Sequence, residues 1–362
     1  MKNRMTRIAA LALALIMILA VCTACGKKQE TAAPASSGTA QTQETAAKAD
    51  TVDRSNWPKS ITLVGGPQGG PWYPIMVLFA EFLTKDIPEI NWSVIDGGAL
   101  GNIRTVNEGV DGQIGMTLYP MLSKALEGTL KATEGEVFDN LTIGNAICLS
   151  VLQVTVPVES GITSFEQLNG KRLAPGQLTS SNPYVIEDLL KYVGITGGYD
   201  EVIANGGSVQ YPSYSEMATL LKDRHVDMGC WVGNCPHASG LDADASLPLD
   251  VISFSEDQYA YLKGLYPSID RYTIKAGTYS GQKEDALGLA LAAGLIYNKS
   301  VPDTLIYEFT KCIMSHAEEV RAAYASDTYC GYMNLDDTLK FFDESVINPN
   351  TVKAIKDMKA GK

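Results

Sequence analysis

Residues 60–83 have the sequence SITLVGGPQGGPWYPIMVLFAEFL, which contains a complete strand, glycine-rich loop and helix. Ser60–Val64 is short and apolar, as a buried strand is, and Gly65–Tyr73 holds four glycines. Pro74 suits the first turn of a helix because its missing N–H has no partner there, and Ile75–Leu83 is apolar at helical spacing. The stretch therefore predicts one strand–loop–helix unit.

Two further units of the same kind follow. Trp92–Ile95 predicts a strand and Leu100–Glu108 a helix that stops at Gly109, while Gln113–Leu118 predicts a third strand before a helix that ends near Gly128. Alternating strands and helices predict a mostly parallel sheet with helices on its faces. In such sheets, ligands bind beyond the carboxyl ends of the strands, where the three loops meet.

The second half of the chain repeats this pattern. Val151–Val158 is strongly β-forming, and a second series of strands and helices begins at Lys171. It includes a polar loop at Pro175–Pro183, a helix at Tyr184–Tyr192 and a strand at Val226–Trp231. The chain is too long for one compact core and suits two lobes.

We expect the chain to cross between these lobes near residues 156 and 270. Lobe I then comprises residues 58–155 and 271–362, and lobe II comprises residues 156–270. Apolar residues at helical spacing over Asp303–Ala325 predict one long amphipathic helix that packs on lobe I. The predicted fold is a two-lobed α/β protein, each lobe a mixed, mostly parallel sheet flanked by helices.

The N-terminus indicates export. Three basic residues precede the apolar run Ile8–Val21, which is shorter than the roughly 20 residues of a membrane-spanning helix. The small residues Thr23 and Ala24 come directly before Cys25, which resembles a bacterial lipobox. Residues 1–24 are therefore a predicted signal peptide and Cys25 a predicted lipidation site, which places the protein outside the cytoplasm on the cell membrane. The alternative is an ordinary cleaved signal that leaves Cys25 a plain thiol.

Residues 25–57 contain few large apolar side chains and many Ala, Thr, Ser, Gln and Glu residues. Such a segment buries too little surface to offset its chain entropy, so we expect a disordered tether. The net charge is −12, and signal cleavage would remove three basic and no acidic residues, leaving about −15. This acidity argues against nucleic-acid binding, which needs basic patches.

The order of several motifs resembles the TAXI family, the solute-binding components of TRAP transporters. The motifs that carry the resemblance are Gly69–Pro74, Gly97–Arg104, Gly109–Gly115, Ser160–Arg172 and Ala276–Gln282. The resemblance implies a monomeric, two-lobed clamshell like that of periplasmic binding proteins, which closes on a small solute, an organic acid or an amino-acid-like molecule, and delivers it to a TRAP membrane permease. It implies no cofactor and no catalysis. A binding protein of another transporter, a sensory receptor and an exported hydrolase remain alternatives.

The site is predicted where glycine loops meet helix N-termini, since these supply N–H donors and partial positive charge to an anion. The predicted ligand-binding residues are Trp72, Tyr73, Gly98, Asn102, Tyr119, Thr179, Ser180, Ser181, Trp231 and Asn234. Trp231 suits the core equally well, and Asn182 before Pro183 suits a helix cap. Arg104 and Arg172 are the guanidinium groups near these loops, so a guanidinium clamp is the competing model.

No metal or catalytic site is expected. Cys230, Cys235 and His237 lack a fourth ligand nearby, and structural zinc takes four. The sequence has three histidines and no Gly-x-Ser-x-Gly nucleophile motif. Disulfides between Cys230 and Cys235, and between Cys312 and Cys330, are both open possibilities in an exported protein.

Overall fold

The computed structural model describes residues 52–266, 268–323, 333 and 335–361. The predicted signal peptide, Cys25, most of the predicted tether and Cys330 lie outside these residues. Among the described residues, no helix combines the length and the apolar character needed to cross a bilayer.

The described part of the chain folds into ten strands and twelve α-helices. The strands are β1 (Ser60–Val64), β2 (Asn91–Ile95), β3 (Ile114–Leu118), β4 (Leu141–Pro157), β5 (Arg172–Ala174), β6 (Ser208–Val209), β7 (Met228–Gly233), β8 (Leu249–Val251), β9 (Ile269–Ile274) and β10 (Ala286–Asn298). The helices are α1 (Trp72–Asp86), α2 (Ala99–Glu108), α3 (Tyr119–Leu126), α4 (Asn182–Tyr192), α5 (Tyr199–Ala204), α6 (Tyr214–Lys222), α7 (Ala238–Asp244), α8 (Glu256–Leu265), α9 (Asp303–Ser315), α10 (Ala317–Ala323), α11 (Leu335–Thr338) and α12 (Pro349–Lys359). The predicted mixed α/β architecture, a sheet flanked by helices, is confirmed.

All ten strands belong to one sheet, in the order β2-β1-β3-β10-β4-β7-β5-β6, with β8 beside β4 and β9 beside β10. At one end β2, β1 and β3 are parallel, and at the other end β7, β5 and β6 are parallel. The antiparallel pair β4 and β10 joins these two parallel blocks. Instead of a separate sheet in each predicted lobe, the structure therefore has one continuous sheet.

The strands β4 and β10 are long enough to serve both blocks. β10 pairs with β3 at residues 293–297 and with β9 at residues 286–291. β4 pairs with β7 at residues 151–155 and with β8 at residues 155–157. Both strands are buried along nearly their whole length. β10 is almost continuously apolar, as a strand covered on both faces is, whereas β4 also buries Asn145, Ser150, Gln153 and Thr155.

The predicted long helix Asp303–Ala325 is wrong in its continuity, because it is interrupted at His316. The His316 N–H is directed to the Met314 carbonyl, whereas an unbroken helix would direct it to the Cys312 carbonyl, which accepts from Ser315 Oγ at 2.7 Å. α9 ends there, α10 follows, and Ala325 lies outside the described residues. The break leaves the His316 side chain at the end of α9.

Candidate functional site

The loop before α2 and the loop before α4 meet at the edge of the sheet. The N–H groups of Leu100 and Gly101, in the first turn of α2, donate to the Thr179 carbonyl at 2.9 and 3.0 Å. A Cβ atom at Gly98 would lie 2.7 Å from the same carbonyl oxygen, so a side chain there would force the loops apart. The absence of a side chain at Gly98 therefore permits the close approach of the two loops at the Thr179 carbonyl.

Between the glycine loop of Gly65–Tyr73 and these loops lies a cavity of about 20 Å³. That volume holds roughly one water molecule. Its lining residues are Pro67, Gly70, Pro71, Trp72, Ala99, Leu118, Ser180, Ser181, Asn182, Tyr214 and Val232. The loops around the cavity lie close to one another, so a larger molecule can enter only if the loops separate.

Four of the lining residues carry a buried polar atom that has no hydrogen-bond partner. These atoms are Trp72 Nε1, Ser180 Oγ, Ser181 Oγ and Asn182 Oδ1. Buried polar groups in native proteins are nearly always paired, and leaving one unpaired costs about 1–3 kcal/mol. Their convergence on one cavity provides both donors and acceptors for a small polar molecule.

Of the ten predicted ligand-binding residues, the cavity brings together Trp72, Ser180 and Ser181, with Gly98 and Thr179 at its edge. Tyr73 is exposed, and Asn234 is half-buried with its carbonyl accepting from Gln153 Nε2 at 2.9 Å. Neither of them lines the cavity.

Tyr119 and Trp231 are fully buried away from the cavity. The Tyr119 hydroxyl donates to the Gly144 carbonyl at 3.0 Å, and Trp231 Nε1 donates to Thr155 Oγ1 at 2.8 Å. Trp231 therefore lies in the core, which is the alternative position that its sequence context also predicts. Both aromatic residues are therefore hydrogen-bonded to β4 within the core.

Asn102 has a structural role that differs from its predicted one. Its amide nitrogen donates to the carbonyls of Gly65 and Met116, both at 2.6 Å, and its oxygen accepts from the Gly98 N–H at 2.9 Å. The side chain is fully buried. It ties the loops after β1 and β2 to β3 and has little capacity left for a solute.

Tyr214 is not among the predicted ligand-binding residues, and Asn182 is predicted only as a helix cap. α4 begins at Asn182 with Ser181 in the cap position, and the Asn182 amide donates to the Tyr214 hydroxyl at 3.1 Å. The Val232 N–H donates to the same hydroxyl at 3.2 Å, which leaves the hydroxyl proton free to donate. Ser213 and Glu216 form a capping box, a sequence signal that could have placed Tyr214 at a helix N-terminus.

Both arginines of the competing clamp model are engaged elsewhere. Arg104 forms an ion pair with Glu136 at 2.6 Å and donates to the Ala132 carbonyl at 2.7 Å. Arg172 forms an ion pair with Asp227 at 2.5 Å. Neither arginine lines the cavity, so the helix N-termini and polar side chains are the groups positioned there.

A second cavity of about 330 Å³ lies between α3, α4 and α8. Its charged lining residues are Lys124, Glu187, Asp188 and Lys191. They are largely satisfied, because Lys191 pairs with Glu187 at 2.8 Å, Lys124 donates to the Leu265 carbonyl, and Asp188 accepts from the Tyr266 hydroxyl. Paired charges of both signs make this cavity a weaker anion site than the smaller one.

The cysteines do not form the disulfide between Cys230 and Cys235, since both are free thiols. Cys312 is also a free thiol, and Cys148 is buried.

Comparison with known proteins gives the family. The model of the NMT1-like family matches residues 63–341. The chain belongs to the NMT1-like family. No curated protein matches the chain. This NMT1-like chain is also similar to solved structures of periplasmic binding proteins at low sequence identity.

One similar structure is the alkanesulfonate-binding protein SsuA from Xanthomonas axonopodis pv. citri bound to MOPS, which is 14% identical with a TM-score of 0.42. The alignment covers 84% of this chain and 91% of that one. The periplasmic binding protein P5PA is 13% identical with a TM-score of 0.47, over 84% of this chain and 98% of that one. A putative L-cystine ABC transporter from Listeria monocytogenes is 15% identical with a TM-score of 0.46, and the alignment covers 75% of this chain and 98% of that one.

We predict that Asn102→Ala destabilises the fold. The substitution leaves one N–H and two carbonyl groups buried without a partner, so the free energy of unfolding should fall by about 2–4 kcal/mol. Urea unfolding followed by circular dichroism measures this change. Asn91→Ala, at an exposed position of β2, is the control and should change stability by less than about 0.5 kcal/mol. Equal stability of both variants would show that the Asn102 amide is dispensable.

We predict that the free energy of unfolding depends on pH because of His237. Its ring is fully buried, stacks on Trp231 and meets the edge of Tyr214, and neither ring nitrogen has a hydrogen-bond partner. Burial lowers the pKa of His237 from 6.5 to about 3. Between about pH 6.5 and pH 3, His237 is protonated in the unfolded chain but neutral in the folded chain. The free energy of unfolding therefore decreases as the pH falls from about 6.5 toward 3.

At pH 5 this loss amounts to about 2 kcal/mol. His237→Phe removes the titrating group, so its free energy of unfolding should fall less between pH 7.5 and pH 5 than that of the wild type. His225→Gln replaces an exposed imidazole and should keep the wild-type pH dependence. The same pH dependence in the wild type and His237→Phe would mean that His237 is protonated in the folded chain.

Proposed function

We propose that the chain is an extracytoplasmic solute-binding protein that captures a small, carboxylate-bearing solute and delivers it to a TRAP-type membrane permease. The observation that carries this proposal is the convergence of four unpartnered, buried polar atoms on one cavity at the edge of the sheet. The TAXI-like order of the motifs supports the TRAP partner. The periplasmic binding proteins among the similar structures fit a role in transport.

The proposed division into lobe I (58–155 and 271–362) and lobe II (156–270) fits the topology of the sheet. The two parallel blocks lie at opposite ends, and β4 and β10 run between them. Bending of these two strands would separate the loop before α2 from the loop before α4. A solute that binds between the loops then selects the separation that fits it, because a ligand shifts a conformational equilibrium through its differential affinity.

The Thr179 carbonyl supports the proposal of an anionic solute. Its oxygen accepts hydrogen bonds from two N–H groups of the first turn of α2, where the helix dipole favours negative charge. When the loops separate, these N–H groups lose that partner. A carboxylate oxygen of the solute can then accept the same two hydrogen bonds, and Ser180, Ser181 and Trp72 can donate further ones.

The lining of the cavity supports binding without chemical conversion. Among its residues none is an acid, a lysine, a histidine or a cysteine, so the serine hydroxyls there have no general base beside them. An exported hydrolase is the weaker candidate on this ground. The identity of the neighbouring genes would distinguish a partner of a TRAP permease from a binding protein of another transporter and from a sensory receptor.

We predict that the full chain, purified gently from its host, carries a small carboxylate-bearing molecule that native mass spectrometry detects unchanged. Ser180→Ala should weaken the binding of that molecule by roughly 10–100-fold, since a hydrogen bond to a charged group contributes about 1.5–3 kcal/mol. The substitution should not lower stability, because the Ser180 hydroxyl has no partner in the fold.

Ser93→Ala, at an exposed position of β2, is the matched control and should retain full affinity. The proposal fails if the chain carries no small molecule and binds none from a panel of dicarboxylates, keto acids and amino acids. Release of a chemically altered molecule would instead favour the hydrolase.

We propose further that Cys25 carries a lipid anchor, with the residues that follow it as the tether. The tether is shorter than the predicted 25–57, because the Trp57 side chain is buried in the core and its Nε1 donates to Thr304 Oγ1 at 2.8 Å. Two or more acyl chains hold a protein firmly on a bilayer, whereas a single chain holds it weakly. The full chain should therefore fractionate with membranes, and Cys25→Ser should shift it to the soluble fraction. Cys235→Ser, which removes a cysteine from the folded region, should leave the fractionation unchanged. Acylation that persists in Cys25→Ser would contradict this assignment.

A further inference from the structure

A group of three potential metal ligands lies where the C-terminal ends of α1 and α9 meet. The side chains are Asp86, the last residue of α1, and Cys312 and His316, which are one turn apart at the end of α9. Asp86 Oδ2 lies 3.5 Å from Cys312 Sγ and 3.5 Å from His316 Nε2. All three ligand atoms lie within 4.8 Å of one another, and no other such group of three occurs in the part of the chain that the structure describes.

These separations match a tetrahedral zinc site. Zinc binds thiolate sulfur at about 2.3 Å and imidazole nitrogen or carboxylate oxygen at about 2.0–2.2 Å, so tetrahedral ligand atoms lie about 3.4–3.6 Å apart. Both distances from Asp86 fall within that interval. The set of one sulfur, one nitrogen and one oxygen is the borderline-soft chemistry that zinc accepts and that calcium and magnesium do not.

The imidazole of His316 is held in place before any metal binds. Its ring stacks on Phe82 with the centroids 4.0 Å apart and the planes 7° apart. Its Nδ1 lies 2.7 Å from Glu319 Oε1, so the other ring nitrogen is left to face Asp86. A carboxylate on the far nitrogen of a metal-binding histidine fixes its tautomer and raises its basicity, as is usual in zinc sites.

The local electrostatics favour a cation. The C-terminal ends of α1 and α9 both point their partial negative charge at this place, while α10, which begins at Ala317, adds the opposite partial charge of a single short helix. An open cavity of about 360 Å³ adjoins it, lined by Asp86 and Cys312 and also by Glu308 and Lys311, whose charges oppose each other. The cavity gives a fourth ligand, such as water, access to the metal.

We propose that Asp86, Cys312 and His316 bind one zinc ion, with water in the fourth position. The Cys312 thiol proton passes to solvent as the sulfur–zinc bond forms. This metal site differs from the sequence expectation of none. It lies about 21 Å along α1 from Trp72, so it is separate from the cavity of the proposed solute and does not depend on that function. The ion would join α1 to α9 and stabilise the end of the sheet that they cover.

The experiment titrates the full chain, purified in mild detergent under reducing conditions and stripped of metal, with Zn²⁺ in competition with a chromophoric chelator. We expect the wild type to bind one Zn²⁺ more than Cys312→Ser, His316→Ala or Asp86→Asn. Glu319→Gln should keep the stoichiometry and weaken affinity by roughly 10–100-fold, the usual effect of losing an outer-shell partner. Loss of a ligand should weaken affinity more than that.

Cys235→Ser and His225→Ala are the matched controls, since each removes the same kind of side chain from elsewhere in the fold, and both should bind zinc as the wild type does. Titration with Co²⁺ should give a thiolate-to-cobalt charge-transfer band in the wild type that is absent from Cys312→Ser. Zinc should also raise the thermal midpoint of the wild type, because it binds only the folded chain, and leave that of Cys312→Ser unchanged. Equal zinc stoichiometry in the wild type and all three ligand variants, or a cobalt band that survives in Cys312→Ser, would overturn the proposal.

Discussion

The hydrogen-bonded pairing of β4 with β10 is the constraint on which the rest of the fold depends. The two strands pair over residues 141–152 and 289–298, and each then pairs on its outer edge with strands of a parallel block. Because the parallel blocks are connected through these two strands, the path of β4 and β10 decides where the loops before α2 and α4 meet. Both strands are buried along nearly their whole length, so their packing allows little tolerance. Gly294 illustrates this, since a Cβ atom there would lie 2.0 Å from the Tyr119 hydroxyl.

Polar side chains near the sheet edge divide into two groups by how their hydrogen bonds are used. The Asn102 amide is hydrogen-bonded to the backbone of three segments, and the Tyr119 hydroxyl donates to the Gly144 carbonyl. Ser180 and Ser181 are as deeply buried, yet their hydroxyls have no partner. A buried group without a partner costs stability, and a solute that bonds to it would remove that cost, which is why we propose these two serines as contacts of the solute. This difference separates the scaffold of the site from its proposed contacts.

Several elements were predictable because their signals are local. The strand Ser60–Val64, the helix that ends at Gly109 and the polar loop before α4 follow from apolar periodicity, glycine and proline. The break at His316 was not predictable in the same way, since the apolar spacing continues through it while the His316 N–H is directed to the Met314 carbonyl. The hydrogen bonds of the Asn102 side chain were not predictable for a related reason, because its three partners come from different segments of the chain.

The sequence alone determined the alternation of strands and helices and the edge of the sheet where glycine loops and helix N-termini gather. These follow from backbone preferences and from the period of the apolar residues, which act over a few neighbours. The tertiary structure alone decided which polar groups there are paired and that Asp86 lies beside Cys312, a residue 226 positions away. Spacing along the chain shows that Cys312 and His316 share a helix face, but no local rule supplies the third side chain. Its position depends on how α1 packs against α9, and that is set by the burial of the whole core.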